Sequence, residues 1–227
     1  MQPFQYHVDM ALCIDATGSM GPVLEQVKTN ALRFYSDISA ALTEKSKVIA
    51  GMRVRVVAFR DFYVDGDRAL QSSEFFSLPE QAAQFERFVK ELRADGGGDE
   101  PESALEALAV AIKSPWTREG QRQRHLIVLW TDASAHPLEK ASTDMPSNYP
   151  SGMPGNLSEL TDLWAGQEIN FGAKRLIFYA PDAEPWSVIG ATNGGWENAI
   201  WYPSRAGHGL DDLTYKEIIN AIVNSVG

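Results

Sequence analysis

The chain contains a single cysteine, Cys13, among its 227 residues. One cysteine cannot form a disulfide within the chain, and its place inside an apolar run favours a buried, inert thiol over a catalytic one. No apolar run approaches the roughly 20 residues that a membrane-spanning helix needs. The first residues also lack the basic and then apolar pattern of a signal peptide. We therefore expect a cytoplasmic protein without membrane attachment.

Basic residues are scarce as well. Lysine and arginine number 20 against 30 aspartates and glutamates, which gives a net charge of -10. No basic excess is available to neutralise phosphates, so the composition argues against a nucleic-acid binder. An acidic surface suits cations or basic partners, or it serves solubility alone.

Apolar patterns of two kinds alternate along most of the chain. Short apolar runs predict strands at 8–14, 52–59, 126–130, 176–179 and 199–202. Helical spacing of apolar residues predicts helices around 23–42, 79–92, 105–112, 157–169, 186–191 and 215–226. A further strand at 73–78 follows its predecessor through a tight turn at 65–67, too short for a helical crossover. We therefore expect that strand to run antiparallel.

Strands separated by helical crossovers indicate an α/β fold. The prediction is a doubly wound, mostly parallel sheet with one antiparallel edge strand and helices on both faces. One domain over residues 1–227 accounts for the whole pattern. A long loop at about 133–156, rich in proline, serine and glycine, suggests a functional insertion or a mobile segment.

The most informative segment is Asp15-Ala16-Thr17-Gly18-Ser19-Met20, directly after the first predicted strand. The carboxyl ends of strands are where open α/β sheets place their ligand sites. Alternate residues of an extended turn can point the same way, so Asp15, Thr17 and Ser19 could offer three oxygens to one cation. Magnesium takes such oxygens and completes its octahedron with water.

Two later loops carry similar groups. Gly96-Gly97-Gly98-Asp99-Glu100-Pro101-Glu102 precedes a predicted helix, and Thr131-Asp132 follows the strand at 126–130. In a mostly parallel sheet these loops should gather at the same edge as the first one. Each loop alone is a weak signal, and the three in this order form a strong one.

These motifs resemble those of the von Willebrand factor type A domain and its metal-ion-dependent adhesion site. That site follows the pattern Asp-x-Ser/Thr-x-Ser, then a loop threonine, then a loop aspartate, on a Rossmann-like fold. Asp15, Thr17 and Ser19 match the first motif, and Asp132 matches the last aspartate. The resemblance covers essentially the whole chain. It implies a site for Mg²⁺, or for Mn²⁺ or Ca²⁺, that binds another protein through a metal-bridged contact.

The middle loop departs from the family pattern, because Asp99 stands where many members have threonine. A third carboxylate would hold the metal tightly and weaken the demand for an acidic group from a partner. The residues of all three motifs resemble those of intracellular members of the family. Some of these members are fused to alpha-kinases, and others are stand-alone bacterial proteins. This resemblance implies an intracellular scaffold and identifies no partner.

Several of these residues also have simpler interpretations. Asp99, Pro101 and Glu102 fit a capping box at the start of a helix. Glu100 and Glu102 are then expected to be solvated charges of the first helical turn. His136 is close enough in sequence to line the same sheet edge, although a lone loop histidine is more often incidental.

Arg60 and Asp61, at the end of the second strand, could support the site, and a surface ion pair is the favoured interpretation.

The leading functional hypothesis is a non-enzymatic, metal-dependent protein-protein interaction module that uses Asp15, Thr17, Ser19, Asp99 and Asp132. The alternative is a Mg²⁺-dependent phosphohydrolase that attacks through Asp15. Such phosphatases commonly want a second aspartate two positions on, where this chain has Thr17. Neither a nucleophile elbow nor a phosphate-binding loop occurs in the sequence.

Overall fold

The computed structural model describes residues 4–98, 100–120, 122–140 and 146–226. Within them, seven strands form one sheet. The strands are β1 (Phe4–Asp15), β2 (Lys47–Phe59), β3 (Leu70–Ser72), β4 (Phe76–Leu78), β5 (Arg122–Trp130), β6 (Lys174–Pro181) and β7 (Ala199–Ser204). The helices are α1 (Gly21–Asn30), α2 (Phe34–Glu44), α3 (Ala82–Glu91), α4 (Ala104–Ile112), α5 (Leu157–Ala165), α6 (Trp186–Ile189) and α7 (Tyr215–Val226).

The sheet has the order β3-β2-β1-β5-β6-β7, with β4 also paired to β2. Strands β2, β1, β5, β6 and β7 run parallel to one another. The chain leaves β1 toward β2 on one side and later adds β5 on the other side of β1. That reversal places a crevice beyond the carboxyl ends of β1 and β5, where doubly wound sheets bind their ligands.

Helices cover both faces of the sheet because its central strands are apolar on both sides. Leu12 and Ile14 of β1 join the core beneath α1, α2, α3 and α7. Cys13, on the opposite face, joins the core beneath α4, α5 and α6. Burial raises the pKa of the Cys13 thiol to about 12, which suits an inert packing role. The predicted fold class is confirmed.

The antiparallel edge is built differently from the prediction. The single strand expected at 73–78 is two short strands, β3 and β4, and both pair antiparallel with β2. Ser73 lies between them, and its hydroxyl accepts a hydrogen bond from the backbone of Val56 at 3.0 Å. This side-chain contact replaces a regular ladder bond, so the strand is interrupted at the serine.

Two further details concern the helices. The first predicted helix is divided into α1 and α2 by a 3₁₀ turn at Ala31–Arg33. The expected helix at 157–169 ends at Ala165. No helix in the described ranges is long and apolar enough to cross a membrane.

Candidate metal centre

The first loop turns back on Asp15, the last residue of β1. Asp15 Oδ1 accepts hydrogen bonds from the Thr17 amide at 2.9 Å and from the Thr17 hydroxyl at 2.6 Å. Asp15 is fully buried and Thr17 is 5% exposed. The loop therefore holds a carboxylate and a hydroxyl side by side, directly behind the central strand.

The first and last loops are joined by two side-chain hydrogen bonds. Ser19 Oγ donates to Asp132 Oδ1 at 3.0 Å. Thr131 Oγ1 donates to the second oxygen of Asp15, Oδ2, at 2.7 Å. Since β1 and β5 are neighbours and parallel, their ends bring these residues together although they lie more than a hundred positions apart. Asp15, Thr17, Ser19 and Asp132 thus gather at one point, as the sequence predicts.

A loop that follows β7 supports Asp132. The amide of Gly209 donates to Asp132 Oδ2 at 2.7 Å, and the amide of Gly207 donates to its carbonyl at 2.9 Å. Gly209 has φ +61, and a Cβ at this position would lie 2.2 Å from the Ser19 carbonyl oxygen. Glycine is required there because the backbone approaches the first loop so closely.

Glycines also bring the middle loop against the first one. A Cβ on Gly97, which has φ +71, would lie 2.6 Å from Thr17 Cγ2 and 2.7 Å from Glu102 Oε1. The Gly97 amide donates to Asp65 Oδ2 at 2.9 Å. Asp99, the predicted ligand of this loop, lies outside the described residues. Its two alternative roles both stay predictions.

Glu102 corrects one expectation. It is 4% exposed and precedes α4, whose N-cap is Ser103, so it is not a solvated charge of the first helical turn. Its backbone pairs with the third loop, where its amide donates to the Ser134 carbonyl at 3.0 Å and its carbonyl accepts from the His136 amide at 2.8 Å. Its Oε2 atom is buried, and no described residue forms a hydrogen bond with it. Glu100, in contrast, is exposed as expected.

Burial and mutual repulsion raise the pKa values of two carboxyl groups at the site. Burial raises the pKa of Asp15 to about 6, helped by repulsion from Asp132 and opposed by the hydrogen bonds from Thr17 and Thr131. Burial also raises the pKa of Glu102 to about 8, and repulsion from Asp15 and other nearby aspartates adds to this shift. Carboxyl groups in such surroundings favour either a proton or a bound cation.

Thr17, Ser19, Glu102 and Asp132 line a small cleft of about 230 Å³, and Asp15 is buried next to Thr17 without lining it. The lining of the cleft consists of Thr17, Gly18, Ser19, Gly96, Gly97, Gly98, Glu100, Glu102, Asp132, Ala133 and Gly207. Among the described residues, no three His, Cys, Asp or Glu side chains are grouped so that they alone could hold a metal. Any ion here would therefore depend on hydroxyl groups and water beside the carboxylates. Such a hard oxygen set fits Mg²⁺ better than a thiophilic metal.

Arg60 and Asp61 do not form the expected surface ion pair. Arg60 is 2% exposed, and its guanidinium donates to the backbone carbonyls of Arg68, Arg93 and Asp95. It thereby holds the middle loop in place. Asp61 is also buried and accepts a hydrogen bond from the Tyr63 amide at 2.8 Å.

His136 lies beside this second acidic group. Its Nε2 is 3.2 Å from Asp61 Oδ1, within ion-pair distance but without hydrogen-bond alignment. The expectation that His136 reaches the same sheet edge is therefore met, although it does not line the cleft itself. The sequence analysis places Thr131 in the third loop without giving it a role, and it does not include the glycines at 207 and 209. Thr131 could be suspected from its place beside Asp132, whereas the glycines carry no local signal.

Comparison with known proteins is consistent with this geometry. A family model described as von Willebrand factor A domain matches residues 9–143. An alpha-protein kinase of Dictyostelium discoideum, vwkA, is 30% identical over 156 residues, which is 69% of this chain and 23% of that protein. The chain therefore spans about a quarter of that relative's length.

Solved structures agree on the fold. The pilus adhesin SpaC of Lactobacillus rhamnosus GG superposes with a TM-score of 0.55 at 12% identity, over 100% of this chain and 31% of that one. A von Willebrand factor type A protein of Catenulispora acidiphila gives 0.52 at 15% identity, over 96% and 42% of the two chains. Identities this low establish a shared fold alone.

Proposed function

The chain belongs to the von Willebrand factor A domain family, and from this premise we propose that it is a non-enzymatic, divalent-metal-binding module for protein-protein interaction. The observation that carries the proposal is the convergence of Asp15, Thr17, Ser19 and Asp132. Thr17, Ser19 and Asp132 line one cleft, and the fully buried Asp15 is hydrogen-bonded to Thr17. Two carboxylates and two hydroxyls supply the oxygen ligands that Mg²⁺ favours, and Mn²⁺ or Ca²⁺ accept the same groups. Asp99 stays a proposed ligand of the same site.

Each of these residues has a separate part in holding the ion. Asp15 and Asp132 would supply negative charge, and Thr17 and Ser19 would supply neutral oxygens. Ser19 is the exposed member of the group, so it marks the side from which a partner would reach the site. A bound metal ion would act as a Lewis acid and accept a lone pair from an oxygen atom of the partner.

A role in binding is supported more strongly than a role in catalysis. Asp15 is fully buried, and its two oxygens already accept hydrogen bonds from Thr17 and Thr131. A nucleophilic carboxylate needs a free oxygen within reach of its substrate. The phosphohydrolase alternative therefore has no support in the arrangement of this residue. We further propose that the protein acts in the cytoplasm.

The proposal is tested by affinity capture from the cell that makes the protein. Wild-type protein and Asp15→Asn are immobilised and washed with Mg²⁺ or with chelator, and the retained proteins are identified. We expect a partner that is retained by the wild type only in Mg²⁺ and is lost from Asp15→Asn. A partner retained equally by both proteins in both washes would contradict a metal-bridged contact. Asp162→Asn, which changes an exposed aspartate on α5, serves as the matched control.

A further inference from the structure

Two exposed apolar residues stand at the edge of the candidate metal centre. Tyr63 is 45% exposed and Val64 is 59% exposed, and both follow the carboxyl end of β2. A Cβ built on Gly98 would lie 3.1 Å from Val64 Cγ2, and Gly98 lines the cleft. We name Tyr63 and Val64 the apolar shelf. It adjoins the cleft through Gly98.

The apolar shelf is held firmly in its exposed position. The Asp61 carbonyl accepts hydrogen bonds from the amides of Val64 at 3.2 Å and Asp65 at 2.8 Å. The Tyr63 ring lies 4.9 Å from the ring of His136 and 4.8 Å from the ammonium group of Lys140. These contacts fix the turn and the Tyr63 ring while both side chains stay exposed at the surface.

The cleft beside the shelf is acidic. Glu102 is only 4% exposed and lines the cleft, yet its Oε2 atom has no hydrogen-bond partner among the described residues. Such an atom is satisfied by a proton, by a cation or by a donor outside the described residues. The carboxylates in and around the cleft are Asp15, Asp61, Asp65, Asp95, Glu100, Glu102 and Asp132.

Two arginines offset part of this charge. Arg60 pairs with Asp95 at 3.4 Å, and Arg68 pairs with Asp65 at 3.5 Å and Asp95 at 3.0 Å. Even when Glu102 keeps its proton, the other six carboxylates outnumber these two arginines together with the two charges of a bound Mg²⁺. A loaded centre thus keeps an acidic excess, which repels a carboxylate brought by a partner and attracts a basic group.

We propose that the apolar shelf and the mouth of the acidic cleft form one docking surface, and that its occupant is a protein segment with a lysine or arginine next to a large apolar side chain. This inference rests on the proposed function and narrows its partner class. The apolar side chain packs on Tyr63 and Val64, and the basic group lies over Glu100 and Glu102. A second copy of this chain is a poor occupant, because each copy carries a net charge of -10.

The test uses a display library of random peptides, selected on the full chain in the presence of Mg²⁺. We expect enrichment of peptides with a basic residue beside an apolar one. A selected peptide should bind Val64→Ser about tenfold more weakly and should lose affinity when the salt concentration is raised. Val188→Ser, a 47% exposed valine on α6, is the matched control and should bind like the wild type.

Three results would overturn the proposal. They are enrichment of acidic peptides, the absence of any enriched class, and equal binding by Val64→Ser and the wild type. Sedimentation adds a fourth, because a dimer that Val64→Ser dissociates would assign the shelf to a second copy. Calorimetric measurement of Mg²⁺ binding to the same protein distinguishes failure of this inference from failure of the proposed function. Enrichment of acidic peptides on a protein that binds Mg²⁺ contradicts this inference only. Failure to bind Mg²⁺ contradicts the proposed function.

Discussion

The hydroxyl of Ser19 donates a hydrogen bond to Asp132 across 3.0 Å, although 113 positions separate the two residues in the chain. The contact exists because β1 and β5 are parallel neighbours whose carboxyl ends coincide. Ser19 belongs to a loop that the first strand positions, and Asp132 to a loop that the fifth strand positions. The sheet therefore assembles the candidate metal centre, rather than any one loop.

Replacement of Ser19 by alanine should weaken metal binding without unfolding the protein. Ser19 is an exposed residue, so the loss of its hydroxyl leaves no buried cavity, but it removes one of the oxygens offered to the ion. We expect Mg²⁺ affinity to fall about tenfold, or about 1.4 kcal/mol, in a calorimetric titration. Ser36→Ala changes an exposed serine on α2 whose hydroxyl contacts the Arg33 carbonyl, and it should bind Mg²⁺ like the wild type. Equal affinities in the two variants would exclude Ser19 as a ligand.

Gly209→Ala should damage both stability and metal binding. The added Cβ would meet the Ser19 carbonyl at 2.2 Å, and the backbone has φ +61. The loop must shift, so Asp132 loses the amide that fixes its carboxylate. We expect unfolding in denaturant to become easier by more than the roughly 1–2 kcal/mol that a left-handed alanine costs by itself.

Gly194→Ala provides the comparison for that experiment. Gly194 has φ +83, but beyond its chain neighbours no atom of the described residues lies within 4 Å of the position of its Cβ. It should show the backbone cost alone and leave Mg²⁺ affinity unchanged. If Gly209→Ala lowers the free energy of unfolding no more than Gly194→Ala does, the close contact between Gly209 and the first loop does not contribute to stability.

The long loop is anchored by a buried ion pair. Lys140 lies 3.1 Å from Glu106, and the two side chains are 1% and 0% exposed. Lys140→Met leaves the Glu106 charge buried without its partner, so we expect a loss of about 3–5 kcal/mol in the free energy of unfolding. The double variant Glu106→Gln, Lys140→Met should recover part of that loss, because the unpaired charge is then gone.

An exposed ion pair serves as the reference. Lys90 pairs with Glu86 on α3, and its side chain is 59% exposed, so Lys90→Met should change stability by less than about 1 kcal/mol. Chemical denaturation of the four proteins measures these differences. Similar small losses in Lys140→Met and Lys90→Met would show that the buried pair does not anchor the loop.

The metal-free protein should lose stability as the pH rises. The pKa of Asp15 is raised to about 6 and that of Glu102 to about 8, so the folded state holds these protons more tightly than the unfolded state does. The stabilisation is complete below the ordinary carboxyl range and is lost as the pH rises through 6 and then 8. In chelator, Tm should therefore fall between pH 5.5 and pH 8.5, by about 2–4 °C for each kcal/mol lost.

Two comparisons sharpen the pH experiment. Glu102→Gln carries no proton that can be lost, so its Tm should fall less over the same range. Saturating Mg²⁺ should also flatten the profile of the wild type, because the cation replaces the protons. A Tm that rises steadily to pH 8.5 in chelator would contradict the raised pKa values.

The sequence predicts the parts of this molecule that have a local pattern. Asp15 and Asp132 follow apolar strands directly, so their place at the sheet edge can be inferred from neighbouring residues. The capping-box pattern wrongly assigns Glu102 to the first helical turn, because α4 has its N-cap at Ser103. The burial of Glu102 results instead from backbone pairing with Ser134 and His136 of another loop, and no pattern within its own loop encodes that pairing.

The same limit applies to Gly209. Its amide completes the environment of Asp132 from 77 positions away, and the need for glycine arises only where the two loops meet. Contacts of this kind depend on the assembled tertiary structure, since neither loop alone forces the other into place.

The most direct test of the account is a calorimetric titration of Mg²⁺ into chelator-treated, dialysed protein, with wild type and Asp15→Asn compared side by side. Asparagine keeps the shape of the side chain and removes its charge. The account predicts one ion bound per wild-type chain and an affinity at least 10–100-fold lower in Asp15→Asn, the range seen when even a supporting residue of a metal site is lost. A wild-type protein that binds no Mg²⁺, or a variant that binds it equally well, would contradict the account.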